Sequence, residues 1–540
     1  MSIDSNSGDE NQSQTQNIFD ILNRNIQNGP SEQSKEMVSQ EKPAISTYPM
    51  AEFIDSMLES NKNNSKTKKS EPFEQINQIM NQYELFRDYY SSPCATRIVN
   101  NVKKTYYIED SFENVLHADF IYNFNEPAAD SMIKKAIKLM KYYANENPDP
   151  RKTYKRFAYH EGSIYLDLND GKGSVVKADK NGWEVLVNPP IEFIRTGNMQ
   201  SLPIPIQNGS YDDFFKLLNF KRESDLILTK AYIPCIPNTE IPRPALFLVG
   251  MKGSSKSTTA RLIRRLIDPV INEVLFPKNN ERDMNLIFQQ HPLPVFDNVQ
   301  SYDERQCNFL CMAITGGGME ERKLHTNGET FYTHYKKPFI STSINVPIVA
   351  KDLVDRSIIV ELEKINPEDR KDEEEIFAEF ANNHASYLGG LLGVIVQALK
   401  IKPSIALEAK PRMADFARMA CAAGESMGVS SSDILHCYNR NKFVFYSSEY
   451  EDDRLLLLLI KFLESVGGFE GTVTELLGKL NQFVELNHKD DVDIIPKRAN
   501  ALSRKLKEYD EQLTLVSWNM QFSESARTAR LITFKKIEMN

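Results

Sequence analysis

The chain has 540 residues, 41% hydrophobic and 26% charged, with a formal net charge of −9. That length suits three or four domains of ordinary globular composition, and the acidic balance excludes nucleic-acid binding by overall charge, leaving only local basic patches. No apolar run is long enough to span a bilayer and the first ten residues are polar and acidic, so a cytoplasmic protein without a membrane partner is expected.

Residues 1–70 are rich in Ser, Asn, Gln and charged residues and are expected to be a disordered polar tail. Two amphipathic stretches, 17–26 and 50–58, have the pattern of helices that fold onto a partner, but are read first as transiently helical parts of the tail. Residues 71–153 are read as helical, on patterns such as P-A-A-D-S-M-I-K-K-A-I-K-L-M-K. Over 154–210 the period changes to two, with turns at Glu161-Gly162, Gly171 to Gly173 and Asn181-Gly182, which predicts a small β-rich module ending in a Gly/Pro linker over 197–210. The six cysteines, at 94, 235, 307, 311, 421 and 437, make no C-x-x-C pair and are read as buried thiols.

The core is expected over 211–365. The run 245–249, A-L-F-L-V, reads as a buried strand, followed by the loop G-M-K-G-S-S-K-S over 250–257 and a helix over 258–267. Strand, glycine-bearing loop, Lys-Ser and helix is the layout of a phosphate-binding P-loop. In it Gly250, Gly253, Ser254, Ser255, Lys256, Ser257 and Thr258 would surround the phosphates of ATP, because successive backbone N–H groups and a helix N-terminus favour anions. Lys256 would reach the β- and γ-phosphates and Ser257 would offer its hydroxyl to Mg²⁺. Ser255 stands where the common pattern has glycine, so a Cβ must fit a tight turn there.

Asp297 ends the short apolar strand of H-P-L-P-V-F-D, 41 positions after Lys256. A carboxylate at the end of a strand beside the P-loop strand is placed to hold Mg²⁺. The next residue, Asn298, can orient a water but cannot accept its proton. Strand patterns over 322–326 and 330–335, joined by Asn327-Gly328, predict a hairpin that places Lys323 and His325 on one face. A buried strand over 339–345 ends in Asn345, and Arg356 precedes another strand. Residues 366–375 form a charge run read as a solvated loop and helix start, opening a helical connector over 366–446.

The last segment, 453–540, reads as helix, helix, helix, strand, strand, with strands over 513–518 and 529–534 and a Thr472/Glu475 capping box. That is a winged-helix order. Residues 497–536 hold nine Lys or Arg against four Asp or Glu, and Lys497, Arg504 and Lys507 are expected on one exposed helix face, the footprint of a nucleic-acid reader.

Taken together, G-M-K-G-S-S-K-S, P-V-F-D-N, the basic hairpin, S-T-S-I-N and D-R-S-I resemble superfamily 3 helicases, AAA+-like ATPases of viruses, phages and plasmids. The likeness is nearest to the ATPases of mobile-element primase-helicase proteins, which continue into L-I-R-R-L-I-D-P, T-G-G-G, P-R-M-A-D-F-A and a terminal winged helix. It runs from about residue 154 to the C-terminus. It implies an α/β P-loop core in a ring, usually a hexamer. Lys256 and Ser257 would bind phosphate and Mg²⁺, Asp297 would hold Mg²⁺ and Asn345 would act as sensor 1. Arg356 would be the finger donated to the neighbouring subunit, and Lys323 and His325 would grip one DNA strand. The tail would meet a primase or other replication partner; no primase carboxylate pattern precedes residue 240. The reading is an ATP-dependent DNA helicase or translocase of a mobile, plasmid or viral element, acting on single-stranded and duplex DNA. The alternative is an ATP-switched, slowly hydrolysing replication initiator, favoured by Asn298. A small-molecule P-loop kinase is disfavoured by the hairpin and the terminal domain.

Overall fold

Four short parallel strands form the sheet on which the middle of the chain is built. Their order is Val295–Phe296, Ile340–Ser343, Ala245–Val249 and Ser357–Glu361. The computed structural model describes residues 71–109, 111–322, 330–348, 350–407, 410–449, 454–487, 494–510, 513, 518–523 and 531–536. The polar tail of residues 1–70 lies outside them. Every residue of Ala245–Val249 is buried, as befits a strand covered on both faces, where an unbroken apolar run replaces alternation. The sheet corrects one expectation. Asp297 follows a strand that does not lie beside Ala245–Val249, because Ile340–Ser343 is inserted between them.

The 71–153 region, expected to be helical, contains helices Glu71–Met80, Phe112–Phe124 and Asp130–Glu146, but also an antiparallel three-stranded sheet over Glu84–Arg87, Pro93–Val99 and Val102–Tyr107. The missed signal is local turn chemistry. Asn100 and Asn101, both at positive φ, turn the chain between β-branched runs, as asparagine tolerates. This region has its own core around Ile79, Phe112, Leu116 and Met140.

The β-rich segment is an antiparallel meander, Phe157–His160, Ser163–Asp167, Ser174–Asp179 and Gly182–Val187. It is not a separate module, since Phe157, Ile164, Leu166 and Val176 share one hydrophobic core with the parallel sheet. Arg156, fully buried, ties the two together by bonding the Asp167 carbonyl at 2.8 Å and Asp268 at 3.3 Å. The expected linker over 197–210 is held down along its length. Ile206 N–H donates to the Ala385 carbonyl and Ser210 N–H to the Ser386 hydroxyl. Glycine is required opposite it: a Cβ on Gly389 would come within 1.8 Å of the Ile206 carbonyl oxygen.

Gly389 lies in the helix Glu373–Ile401, which is long and apolar enough to cross a membrane by length and composition, although no such run was expected from the sequence. Its residues Leu388, Leu391, Leu392 and Ile395 are buried in the same core as the parallel sheet, which accounts for its apolar character. All six cysteines are buried free thiols.

The C-terminal segment runs helix Arg454–Val466, strand Phe469–Thr472, helices Val473–Asn487 and Ala499–Glu508, then strands Trp518–Phe522 and Leu531–Lys536. The first strand was not foreseen; it pairs with the last, which also pairs with Trp518–Phe522. The expected strand over 513–518 is displaced towards the C-terminus. Leu513 is instead buried in the local core beside Leu502, Leu506 and Tyr509. The Thr472/Glu475 capping box is present, with bonds of 3.2 and 2.7 Å.

Candidate functional site

The loop leaving Ala245–Val249 is shaped by three residues at positive φ: Gly250 at 152°, Gly253 at 87° and Ser255 at 58°. At Gly250 a Cβ would meet the Leu362 carbonyl oxygen and the Ser254 hydroxyl, both at 2.8 Å, so only glycine fits. Ser255 takes the left-handed conformation directly before the helix and so supplies the bend that glycine supplies in the common pattern, at a cost of about 1 kcal/mol. Ser254 is fully buried and its hydroxyl donates to the Met251 carbonyl at 2.9 Å, bracing the loop from below.

The helix begins at Lys256, two residues earlier than expected, and runs to Ile267. Its buried stripe of Leu262, Ile263 and Leu266 fixes its direction, so its N-terminal N–H groups face the loop. Lys256 folds back on the loop, donating from Nζ to the Met251 carbonyl at 2.9 Å. Partial burial lowers its pKa, and the Asp297 charge acts in the opposite direction.

Asp297 is the meeting point of the site. Its Oδ1 accepts from the Ser257 hydroxyl at 2.7 Å and from the Thr342 hydroxyl at 2.5 Å. Thr342 also accepts from the Asn298 N–H at 2.8 Å, so the inserted strand clamps the carboxylate to the loop. Sequence reasoning singled out Ser257 and Asp297 but missed Thr342. The signal was present in S-T-S-I-N, where a hydroxyl inside a fully buried strand needs a partner.

The other residues distribute unevenly. Asn298 is exposed with φ 55°, in the left-handed region that Asn tolerates. Asn345 lies two residues past its strand, is exposed, and follows Ile344, whose carbonyl accepts from the Gly250 N–H at 3.3 Å. Thr258 sits in the first turn of the helix. Asp303, the next carboxylate after Asp297, is the N-cap of helix Glu304–Thr315, and its side chain accepts from the Gln306 N–H at 2.8 Å. Arg370 was read as part of a solvated charge run. Its guanidinium instead stands over the loop, 3.0 Å from where a Cβ on Gly253 would sit.

Arg356 is not brought to this site. It precedes Ser357–Glu361, whose first residue pairs with Ala245, so it lies at the amino end of the parallel sheet while the loop lies at the carboxyl end. Five residues at ~3.3 Å each put it roughly 16 Å from its own loop. It is 14% exposed, ion-paired with Asp352 at 2.5 Å, and Arg412 shares the same carboxylate.

The hairpin strands are Gly318–Arg322 and Thr330–His334, so the first begins four residues before the expected 322–326, of which only Arg322 is among the described residues. Lys323, His325 and the Asn327-Gly328 pair lie outside the described residues. The hairpin root is anchored by the Thr333 hydroxyl, which pairs with Asn285 Oδ1 at 3.2 Å, and by the Tyr335 hydroxyl, which donates to the Asn285 carbonyl at 3.1 Å. In the C-terminal segment Arg504 and Lys507 are exposed on one helix face, whereas Lys497 precedes that helix rather than sharing its face.

The residues at the loop fit Mg²⁺-ATP. The two hydroxyls and one carboxylate are hard oxygen ligands of the kind Mg²⁺ prefers, and Gly250 leaves room that a Cβ would fill. Among the described residues no group of three or more His, Cys, Asp or Glu could hold another metal.

Comparison with known proteins gives two family matches. Residues 211–439 match the family described as "Actinomycete integrative conjugative element replication protein", and residues 457–539 match the C-terminal domain described for the same replication protein. Over these two segments the chain is similar to replication proteins of a mobile element. No curated protein matches it. Among solved structures, the C-terminal region of NrS-1 is 11% identical and covers 88% of this chain and 100% of its own, with a TM-score of 0.36. A structure titled "SCCmec type IV Cch - active helicase" is 13% identical over 84% of this chain and 93% of its own, with a TM-score of 0.36. Likenesses of this strength do not bear on function.

Proposed function

We propose that this chain is a P-loop ATPase of the superfamily 3 helicase type that moves on DNA during replication of a mobile element. The observation that carries the reading is the contact of Ser257 and Thr342 with one oxygen of Asp297 at the mouth of the Lys256 helix. The two family matches supply the replication setting.

Mg²⁺ would neutralise charge on the β- and γ-phosphates when bound with ATP. Asp297 and Ser257 would hold that ion, and Thr342, bonded to Asp297 Oδ1, would keep the carboxylate turned towards it. Lys256 leaves the Met251 carbonyl for the phosphates. Arg370, standing over Gly253, adds a cation on the same face of the loop. Asn298 and Asn345 position water without taking its proton.

Arg356, at the far end of the sheet, serves the loop of a neighbouring subunit, which requires a ring; a hexamer is the expected form. Exposed Met251 and Ile344 beside the loop are suited to being covered by that neighbour. The hairpin grips single-stranded DNA and the C-terminal segment, in winged-helix order, carries Arg504 and Lys507 towards duplex DNA. The test is ATP hydrolysis by the full chain with and without single-stranded DNA. The reading expects stimulation by DNA; ATP binding with no DNA response would overturn the motor.

The second reading is an ATP-switched initiator with slow hydrolysis, and Asn298 favours it. Asn298→Glu would supply a base, worth at most on the order of 10² in rate. The left-handed backbone at 298 opposes Glu by about 1–2 kcal/mol, so a smaller gain is expected. A fall in rate would show that Asn298 is itself fitted to the site.

A further inference from the structure

A second cavity, of about 690 Å³, lies apart from the 250–257 loop. Six separated parts of the chain line it: the first sheet and its following helix, residues 152–157, residues 194–197, residues 239–243, residues 289–292, and the hairpin root at 333–337. Its size falls within the roughly 300–1,000 Å³ of pockets that hold small organic ligands.

Its lining combines two features. One is aromatic: Tyr90, Tyr106, Tyr107 and Tyr154 reach it. Tyr90 stacks on His334 of the hairpin, with ring centroids 6.1 Å apart and planes 11° from parallel. The other is cationic, and its cations divide into two kinds. Arg156 and Arg195 are struts, each bonded to a carboxylate and to backbone carbonyls. Lys152, Lys155, Lys336 and Lys337 have no carboxylate within 4.0 Å among the described residues. Lys152 lies over the Tyr154 ring at 5.3 Å, and the best partner of Lys155 is Gln290 at 3.5 Å.

These ammonium groups repel one another. Burial first, then the charges of Lys336 and Arg243, push the Lys152 pKa down against the pull of Glu240, and burial lowers that of Lys155 to about 8 despite the pull of Glu109 and Asp268. Three carboxylates share the wall, but Asp88 is already bonded to the backbone N–H groups of Tyr90 and Ser92. Lys336 is bonded to the Glu240 carbonyl and Lys337 to those of Phe288 and His291. Lys152 and Lys155, partly withdrawn from water with no carboxylate in reach, cost free energy that an anion would recover. A nucleotide is an anion that also has an aromatic face to stack.

We propose that this cavity binds a nucleotide unit, its base against the tyrosine faces and its phosphate on Lys152 and Lys155. Base stacking with backbone cations is how single strands are held without sequence preference. The cavity adjoins the root of the hairpin, so a strand gripped there would be its source; a free nucleotide has the same chemistry. Only that choice of source rests on the DNA-motor reading. The His334–Tyr90 stack joins the hairpin to the first sheet across the site.

The test uses the full chain with saturating ADP and Mg²⁺, so that the 250–257 loop does not compete. Fluorescence anisotropy follows a labelled dT12, and unlabelled dTMP is added as competitor. Lys152→Gln with Lys155→Gln should weaken dT12 binding tenfold or more. It should also flatten the salt dependence by about 0.7 in the log–log slope, one single-strand phosphate contact. Tyr90→Leu should weaken binding with the slope unchanged. Competition by dTMP assigns the site to free nucleotides as well as strands; no competition with weakened dT12 assigns it to the strand alone. Because the lysines repel, the double variant should unfold at the same or a higher temperature without DNA. Three results would overturn the proposal: unchanged affinity and slope, no dT12 binding by the unaltered chain, or a lowered unfolding temperature. Failure of the ATPase reading would appear separately, as absent hydrolysis by the unaltered chain.

Discussion

Lys256 and Lys155 are both partly buried ammonium groups in polar clefts, and both feel distant carboxylates, but their direct partners differ. Lys256 bonds a loop carbonyl and feels the Asp297 carboxylate. Lys155 has only a side-chain amide at 3.5 Å, with Lys337 near it and Glu109 and Asp268 pulling from beyond ion-pair reach. The first cleft is internally balanced and rests on eight consecutive residues with Asp297 and Thr342 from two neighbouring strands. The second is unbalanced and draws on six distant segments. The contrast shows why one is visible as a motif and the other is not: a loop that surrounds phosphates is local in sequence, whereas a charge imbalance exists only after folding.

The contrast can be broken first at the struts. Arg156→Met removes the partner of buried Asp268 and should destabilise the fold by about 3–5 kcal/mol, read from urea unfolding. A loss below about 1 kcal/mol would mean that Arg156 belongs with the unbalanced cations instead. Lys256→Ala should lower ATP turnover by about 10²–10³, the usual cost of removing one charge-stabilising donor, while urea unfolding stays nearly unchanged. Loss of stability comparable to that of the Arg156 variant would remove the distinction between a functional and a structural cation.

Smaller effects sharpen the balanced side. Thr342→Val deletes one hydroxyl from Asp297. Hydrogen bonds to charged groups are worth about 1.5–3 kcal/mol, so turnover should fall roughly 10- to 100-fold if that bond acts mainly in the transition state. Steady-state kinetics at saturating Mg²⁺ would show it. An unchanged rate would mean that Ser257 alone holds the carboxylate.

The unbalanced side has a pH signature. His291 is 7% exposed, accepts at Nδ1 from Arg264 at 2.7 Å, and is pushed down to about 3, first by burial and then by the charges of Arg264, Lys337 and Lys155. Unfolded histidine titrates near 6.5. Between about 6.5 and 3 the unfolded chain therefore binds a proton that the folded chain refuses. This contribution is full above pH 6.5 and is lost on acidification, by up to about 1.4 kcal/mol per pH unit. His291→Gln keeps an acceptor for Arg264 and should reduce the stability change between pH 7 and 5 by up to about 2 kcal/mol. An identical pH dependence in the two proteins would show that the cations do not reach His291. The smallest effect concerns the C-terminal segment. Arg504→Gln with Lys507→Gln should reduce the salt slope of duplex binding by about 1.8 while leaving turnover unaffected.

The sequence made the loop legible residue by residue. Gly250 to Ser257 and Asp297 are named by type and spacing, and the strand before them by its apolar run. Thr342 was legible as a buried hydroxyl in need of a partner, but that partner was not, because strand order depends on which segments pair, and Ile340–Ser343 inserts where direct neighbours were expected. Arg356 was legible as a residue, but its distance from its own loop follows only from the parallel register. The sheet in the 71–153 region was hidden by amphipathic helices on either side of short strands, and its turn rests on two asparagines at positive φ. Arg370 was masked by its charged neighbours, a composition that solvated loops share.

The central claim is that Ser257, Asp297 and Thr342 with the 250–257 loop form a Mg²⁺-ATP site driving a DNA motor. ATP hydrolysis across a Mg²⁺ titration, with and without single-stranded DNA, for the unaltered chain beside Asp297→Asn, tests it most directly. The account predicts Mg²⁺-dependent hydrolysis that rises with DNA and is lost, with its DNA response, in Asp297→Asn. Hydrolysis that persists in that variant with the same Mg²⁺ dependence would contradict it.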